Sequence, residues 1–250
     1  MHRVLDWQWG NQIPAGRCAL AIMTKAPRAG TVKTRLQPPL TPSEAAQLNT
    51  CFLRDIAALI SAAGERSRGV GVFTPARSEK EYEGILPLHF DLIPQRGNGF
   101  GERLINAADD LLHVGFDSCC LINSDSPTAT AEAFREAVAQ LQNADDRIVL
   151  GPSDDGGYYL IGMRKLNRHL FEEIDWSTER VFAQTDERAR EVGLKVHVLP
   201  KFYDVDDGAT LRRLCEELLR GNSRGDIAPV TTKFLAELIA REGWERLCPR

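Results

Sequence analysis

Between residues 24 and 36 the chain sets four cations, Lys25, Arg28, Lys33 and Arg35, around Pro27 and Gly30, straight after the apolar run Cys18–Met23. A glycine lets backbone N–H groups come close to a phosphate, ammonium and guanidinium groups neutralise its charge, and an arginine can grip two oxygens at once. Gly30, Lys33 and Arg35 therefore read as a phosphate-holding loop, with Lys25 and Thr34 beside them. Val32 stands before Lys33, where a Walker motif has glycine, so the P-loop fold is rejected. The ordinary alternative is a solvated basic loop.

Three acidic segments complete the set. Asn123-Ser124-Asp125-Ser126-Pro127 follows the apolar run Cys119–Ile122. A carboxylate held there by a stiff turn suits a hard cation such as Mg2+ or Mn2+, which binds diphosphate oxygens in turn. Its structural alternative is an Asx turn or a cap on the next helix. Gly151 to Tyr159 carries Asp154-Asp155-Gly156-Gly157, which suits recognition of sugar hydroxyls and is equally a hairpin turn. Tyr203-Asp204-Val205-Asp206-Asp207 places Asp204 and Asp206 on one face of an extended chain as metal candidates, with Asp207 as a helix N-cap. The glycine-rich run Gln95–Arg103 departs from the dinucleotide fingerprint and reads as a mobile loop over the site. No histidine pair has metal-ligand spacing, and no G-x-S-x-G elbow is present.

Such groups need strands and helices to aim them. Short β-rich runs at Cys18–Met23, Gly69–Phe73, Leu88–Ile93, Ser118–Ile122, Arg147–Leu150, Tyr158–Met163 and Lys195–Leu199 alternate with helical patterns. The alternation predicts an α/β fold, a mainly parallel sheet with helices on both faces, whose ligands sit beyond the carboxyl ends of the strands. The first helix is the best marked: Thr41 and Glu44 form a capping-box pair, Pro42 takes the first helical position, and Gly64 closes the pattern. Further helices are expected over Glu102–Val114, Ala131–Leu141, Thr178–Val192, Asp207–Arg220 and, after a break at Gly221–Asp226, Thr231–Glu242. The length of 250 residues suffices for one full-sized core. A net charge of −4 gives no general attraction to nucleic acid, and no apolar run approaches a membrane span. The six cysteines lack C-x-x-C spacing and read as reduced core thiols of a cytoplasmic protein. The first sixteen residues, with Trp7, Trp9 and Pro14, read as a surface arm.

Taken in order, Lys25-Ala26-Pro27-x-x-Gly30-x-x-Lys33-Thr34-Arg35-Leu36, Gly99-x-Gly101-Glu102-Arg103, Asp125-Ser126-Pro127, Gly151-Pro152-x-x-Asp155-Gly156-Gly157-Tyr158-Tyr159, Trp176-Ser177-Thr178 and Asp204-Val205-Asp206 resemble the DUF2064 glycosyltransferase-like proteins. These belong to the GT-A, or nucleotide-diphospho-sugar transferase, superfamily, alongside phospholactate guanylyltransferases and molybdenum cofactor nucleotidyltransferases. One departure is Asn123-Ser124 ahead of Asp125, where the family more often has Gly-Thr or Gly-Ala, and the bulkier Asn123 narrows the site.

The resemblance implies a single GT-A domain over residues 17–220, leaving residues 1–16 as an arm and 221–250 as a helical extension packed on it. It implies a transferase dependent on Mg2+ or Mn2+, using a nucleotide or nucleotide-sugar donor and a small-molecule acceptor. Glycosyl transfer is favoured; nucleotidyl transfer with release of pyrophosphate is the alternative, and a non-catalytic nucleotide-binding protein is the rival from another class. Lys33, Arg35 and Asp155 would carry catalysis. Lys25, Gly30, Lys33, Thr34, Arg35, Gly99, Arg103 and Asp125 would bind the nucleotide. Asp155, Gly156, Gly157, Tyr158 and Trp176 would bind substrate, and Asp125, Asp204 and Asp206 would hold the metal.

Overall fold

A computed structural model describes residues 1–143, 145–221 and 227–248. Among these, the strands are β1 (Arg3–Val4), β2 (Cys18–Lys25), β3 (Ser67–Thr74), β4 (Asp91–Pro94), β5 (Ser118–Ile122), β6 (Arg147–Pro152), β7 (Tyr158–Met163) and β8 (Lys195–Val198). They form one sheet in the order β1-β4-β3-β2-β5-β7-β6-β8. Every neighbouring pair is parallel except those of β7, which runs antiparallel to β5 and β6.

The central strands are apolar without alternation because both of their faces are covered. On β2 and β5, Cys18, Leu20, Ile22, Cys120 and Ile122 join one core cluster, while Ala19, Ala21, Cys119 and Leu121 join the other. Helices α1 (Pro42–Ser61) and α3 (Ala131–Leu141) cover the first face through Leu53, Ile56, Phe134 and Val138. Between them in the chain, α2 (Phe100–His113) covers the second through Leu104, Ala108 and Leu111, as does α4 (Val181–Glu191) through Ala189. The outer side of α1, with Leu48 and Phe52, carries a further layer made by α5 (Gly208–Arg220), α6 (Pro229–Glu242) and α7 (Trp244–Leu247). All six cysteines are free and buried. No helix among the described residues is long and apolar enough to cross a membrane.

Local chemistry accounts for the element ends. Thr41 accepts from the Glu44 backbone and Glu44 returns a bond to the Thr41 N–H, with Pro42 in the first turn of α1. Thr130 caps α3, and Asp207 caps α5 in a reciprocal pair with Thr210. Several boundaries differ from the sequence pattern, and three have a local cause. β4 starts at Asp91 because Pro87 to Phe90 forms a turn that leaves Leu88 exposed. α2 starts at Phe100, two residues early, so half of the expected glycine loop is helix. α4 starts at Val181, because Thr178 bonds back to Asp175 in a turn of its own.

The first sixteen residues are not a surface arm. β1 pairs with the edge of β4, Leu5 and Ile13 are buried, and the Trp7 ring lies 3.9 Å from the Arg96 guanidinium. A two-residue strand is too short to leave a periodic signal, which is why the sequence pattern missed it. The break expected at Gly221–Asp226 lies, from residue 222, outside the described residues.

Two buried acids of α1 fasten the C-terminal helices. Glu44 accepts from Arg241 and Arg246; burial works against its charge, yet the bonds from Arg246 and Thr41 bring its pKa down to about 2. Since that value lies below the roughly 4.3 of an unfolded glutamate, its contribution is complete above that pH and is lost as pH falls through about 2. Asp55, only 2% exposed, accepts from the backbone N–H groups of Val230 and Thr231 at 3.0 and 2.9 Å and so caps α6 from another helix. Asp55→Ala should lower the unfolding free energy by roughly 2 kcal/mol, with Asp55→Asn losing less because it keeps one acceptor. Urea titration measures this, and an Asp55→Ala variant as stable as the parent would refute the cap.

Candidate functional site

The loops beyond the carboxyl ends of β2, β5 and β8 meet at one buried ammonium. Lys33 follows β2 with its backbone in the left-handed region (φ 48, ψ 40), ahead of a single 3-10 turn at Thr34–Leu36. That conformation is uncommon for a residue with a Cβ and is held by the contacts of its side chain. Its Nζ lies 2.6 Å from Asp125 Oδ1 and 3.1 Å from Asp206 Oδ1, and donates to the Val205 carbonyl at 2.8 Å. The side chain is 5% exposed, with the Phe52 ring of α1 5.4 Å from Nζ.

Asp125 leaves β5 in a turn made by its neighbour: Asn123 Oδ1 accepts from the Asp125 N–H at 3.3 Å. Asp125 therefore is neither the Asx-turn residue nor the helix cap, which is Thr130. Ser124 Oγ donates to Asp125 Oδ1 at 3.0 Å, and the Asp125 carbonyl accepts from the Val205 N–H at 2.9 Å. Asp204 faces the same turn, taking a bond from Asn123 Nδ2 at 2.8 Å and one from Ser126 Oγ. Burial pushes its pKa up to about 6, the charges of Asp125 and Asp155 push the same way, and the bonds from Ser126 and Asn123 only partly offset them.

Asp155 sits in the turn that joins β6 to the antiparallel β7, and since β6 runs in the same direction as β5 this turn lies at the same end of the sheet as Asp125. Its Oδ1 accepts from the Gly157 N–H at 2.9 Å, so the hairpin turn and the exposed acid coexist. Gly156 has φ +84, and a Cβ there would lie 2.2 Å from the Glu179 carbonyl oxygen, so only glycine fits. The Glu179 loop brings in Trp176, whose ring meets the 55%-exposed Phe100 edge-on at 5.1 Å. A Cβ on Gly101 would stand 2.7 Å from the Trp176 indole nitrogen.

The structure thus gathers Lys33, Asp125, Asp204 and Asp206, with Asp155 near enough to act on Asp204, and lays Gly156, Trp176 and Gly99, the N-cap of α2, along one border. The other expected residues lie outside these contacts, although the Arg35 charge reaches Asp207 and the Arg103 N–H bonds the Gly99 carbonyl. Arg35 and Thr34 are exposed, and Arg35 does not share the inward position of Lys33. Lys25 ends β2 exposed; Arg28 is paired with Glu81; the Arg103 Nε donates to the Gly97 carbonyl at 3.2 Å. Gly30 adopts φ +75 in the turn where the Thr31 N–H bonds the Arg28 carbonyl. Tyr158 packs into the core beneath α2 and α4 with its hydroxyl buried, which corrects its reading as a substrate contact. Among the described residues no group of three or more His, Cys, Asp or Glu is arranged to hold a metal ion, so the expected trio is not a preformed cage. Two of its members, Asp125 and Asp206, are bridged by the Lys33 ammonium. Asn123 and Ser126 had no place in the expected site, although the departure at Asn123 signalled the first.

Residues 60–178 match the family described as an uncharacterized protein conserved in bacteria, DUF2064. A solved structure from Desulfovibrio desulfuricans G20, assigned provisionally to the nucleotide-diphospho-sugar transferases, is 30% identical, with a TM-score of 0.80 over 92% of this chain and 99% of that one. The 2-phospho-L-lactate guanylyltransferase of Methanothermobacter thermautotrophicus (strain Delta H) is 26% identical over 205 residues, 82% of this chain and 85% of the relative. A CMP:2-keto-3-deoxy-manno-octonic acid synthetase, solved with CTP, shares the fold at a TM-score of 0.51 and 10% identity over 82% and 99% of the two chains.

The raised pKa of Asp204 has a measurable consequence. Its folded value, about 6, exceeds the unfolded value of about 3.9, so its contribution to stability is complete below pH 3.9 and is lost as pH rises through 6. With a chelator present, the unfolding free energy should lose on the order of 2 kcal/mol from this group between pH 4 and 7, and Asp204→Asn should abolish that loss. Parallel pH profiles for the two proteins in urea titrations would contradict the assignment.

Proposed function

Because this chain belongs to the DUF2064 family and has the nucleotide-diphospho-sugar transferase fold, we propose that it is a nucleotidyltransferase acting on a nucleoside triphosphate and a small phosphorylated acceptor. The observation that carries this reading is the Lys33 ammonium between Asp125 and Asp206, with Asp204 facing the same turn, at the carboxyl ends of the strands. It unites a phosphate-binding cation with oxygen ligands for a metal, and the guanylyltransferase relative supports this form of transfer over glycosyl transfer. An acceptor oxygen attacks the α-phosphorus, the bond to the β-phosphate oxygen breaks, and pyrophosphate leaves. Lys33 supplies positive charge to the phosphates as negative charge builds on them, and Arg35 stands exposed to take the outer oxygens. Asp155 orients the acceptor from the hairpin turn, and Trp176 and Phe100 form an apolar border beside it.

The oxygen-only donors fit Mg2+ or Mn2+. Burial and the neighbouring charges of Asp125 and Asp155 raise the pKa of Asp204. Asp125 and Asp204, with Asp206, would hold the ion, which would neutralise phosphate charge that the chain's net charge of −4 otherwise repels. A second reading, glycosyl transfer from a nucleotide-sugar, draws on the assignment of the Desulfovibrio relative.

A thermal-shift screen of nucleoside triphosphates and nucleotide-sugars with Mn2+ should find a stabilising triphosphate, and turnover with candidate phosphorylated acceptors should release pyrophosphate. Release of a nucleoside diphosphate instead would select glycosyl transfer. Lys33→Ala should weaken triphosphate binding by roughly 10- to 150-fold, the range expected for a charged hydrogen bond of about 1.5–3 kcal/mol. Asp125→Asn should fold normally and lose turnover; a fully active Asp125→Asn protein would exclude this site.

A further inference from the structure

A lysine ammonium has three N–H donors, and Lys33 has three oxygen partners: Asp125 Oδ1 at 2.6 Å, Asp206 Oδ1 at 3.1 Å and the Val205 carbonyl at 2.8 Å. At 5% exposure it keeps no donor for a ligand. Two of the partners are carboxylates assigned above to the metal, so the ammonium stands at the position of a cation. Like charges a few ångströms apart in a poorly solvated site repel strongly. A divalent ion on Asp125 and an ammonium 2.6 Å from the same carboxylate therefore oppose each other.

Resting on the proposed function, we infer that Lys33 is the resident counter-ion of Asp125 and Asp206 and that it must leave Asp125 before a divalent cation binds there. Nucleotide phosphates are the group that can draw it away. Lysine's flexible four-carbon stem allows the ammonium to move while the backbone stays, and its charge is then satisfied by phosphate oxygens. The exchange sets an order: the cation enters with the nucleotide or after it. Metal alone binds weakly, because it must first displace a saturated ammonium. The acid cluster is never left unneutralised, since one positive charge departs only as another arrives. Asp204 stays fixed by Asn123 and Ser126 throughout, which keeps the carboxylates in place during the exchange.

Titration of Mn2+ alone, followed by the paramagnetic resonance signal of the free ion, tests the inference without turnover. Lys33→Met should bind Mn2+ at least tenfold more tightly than the parent and gain more melting temperature from it. Equal or weaker Mn2+ binding in Lys33→Met overturns the counter-ion role and leaves the metal reading intact. Absence of binding in both proteins overturns both. The unmodified protein gives a second measurement should the variant fold poorly. Acylation of lysines, read by mass spectrometry, should find Lys33 protected without metal and reactive at saturating Mn2+, and protection that persists at saturation overturns the inference.

Discussion

A single ammonium group, Lys33 Nζ, joins chain segments that lie 92 and 173 positions away in sequence, at Asp125 and Asp206. Four acids converge on this end of the sheet: Asp125, Asp155, Asp204 and Asp206. Two unit charges 4 Å apart at the edge of a protein repel by about 4 kcal/mol, more than a typical hydrogen bond returns. The Lys33 ammonium offsets such repulsion where the loops after β2, β5 and β8 meet. The Phe52 ring and the Val205 carbonyl complete its surroundings, which ties the outer helical layer and the site to the same group.

The antiparallel strand β7 governs the rest of the geometry. β6 runs in the same direction as β5, so the loop Asp154–Gly157 at its carboxyl end faces Asp125, and the antiparallel β7 keeps that loop a tight turn. By reversing at the carboxyl end of β6, the chain delivers Asp155 and two glycines to the site within a short turn. Gly156 then lets the Glu179 loop pack against the turn, and Gly101 lets Trp176 pack against the start of α2. Two missing side chains thus shape the border that the aromatic rings form.

Much of this was legible in the residues because its causes are local. The run Cys119–Ile122 is apolar throughout since β5 is covered on both faces, and the Thr41, Pro42 and Glu44 signature fixes the start of α1. The hairpin at Asp154–Gly157 and the cap at Asp207 were readable from turn chemistry alone. The acids and the lysine were readable as types, but not their pairing. Placing Lys33 inward among carboxylates and Arg35 outward depends on a left-handed backbone angle and on partners far along the chain. Tyr158 failed as a site residue for a related reason: alternation says that a strand residue faces one side, not which side is covered.

The edge strand β1 bears on how the chain reaches this state. Its partner β4 lies 88 positions later, so β1 must wait unpaired until that intervening chain is synthesised. Contacts so distant in sequence form late, since closing the intervening loop costs entropy before any pairing repays it. Until then β4, once formed on β3, presents open backbone groups to any other strand in reach. The short N-terminal strand is thus a closing seal, completing the sheet only after its centre exists.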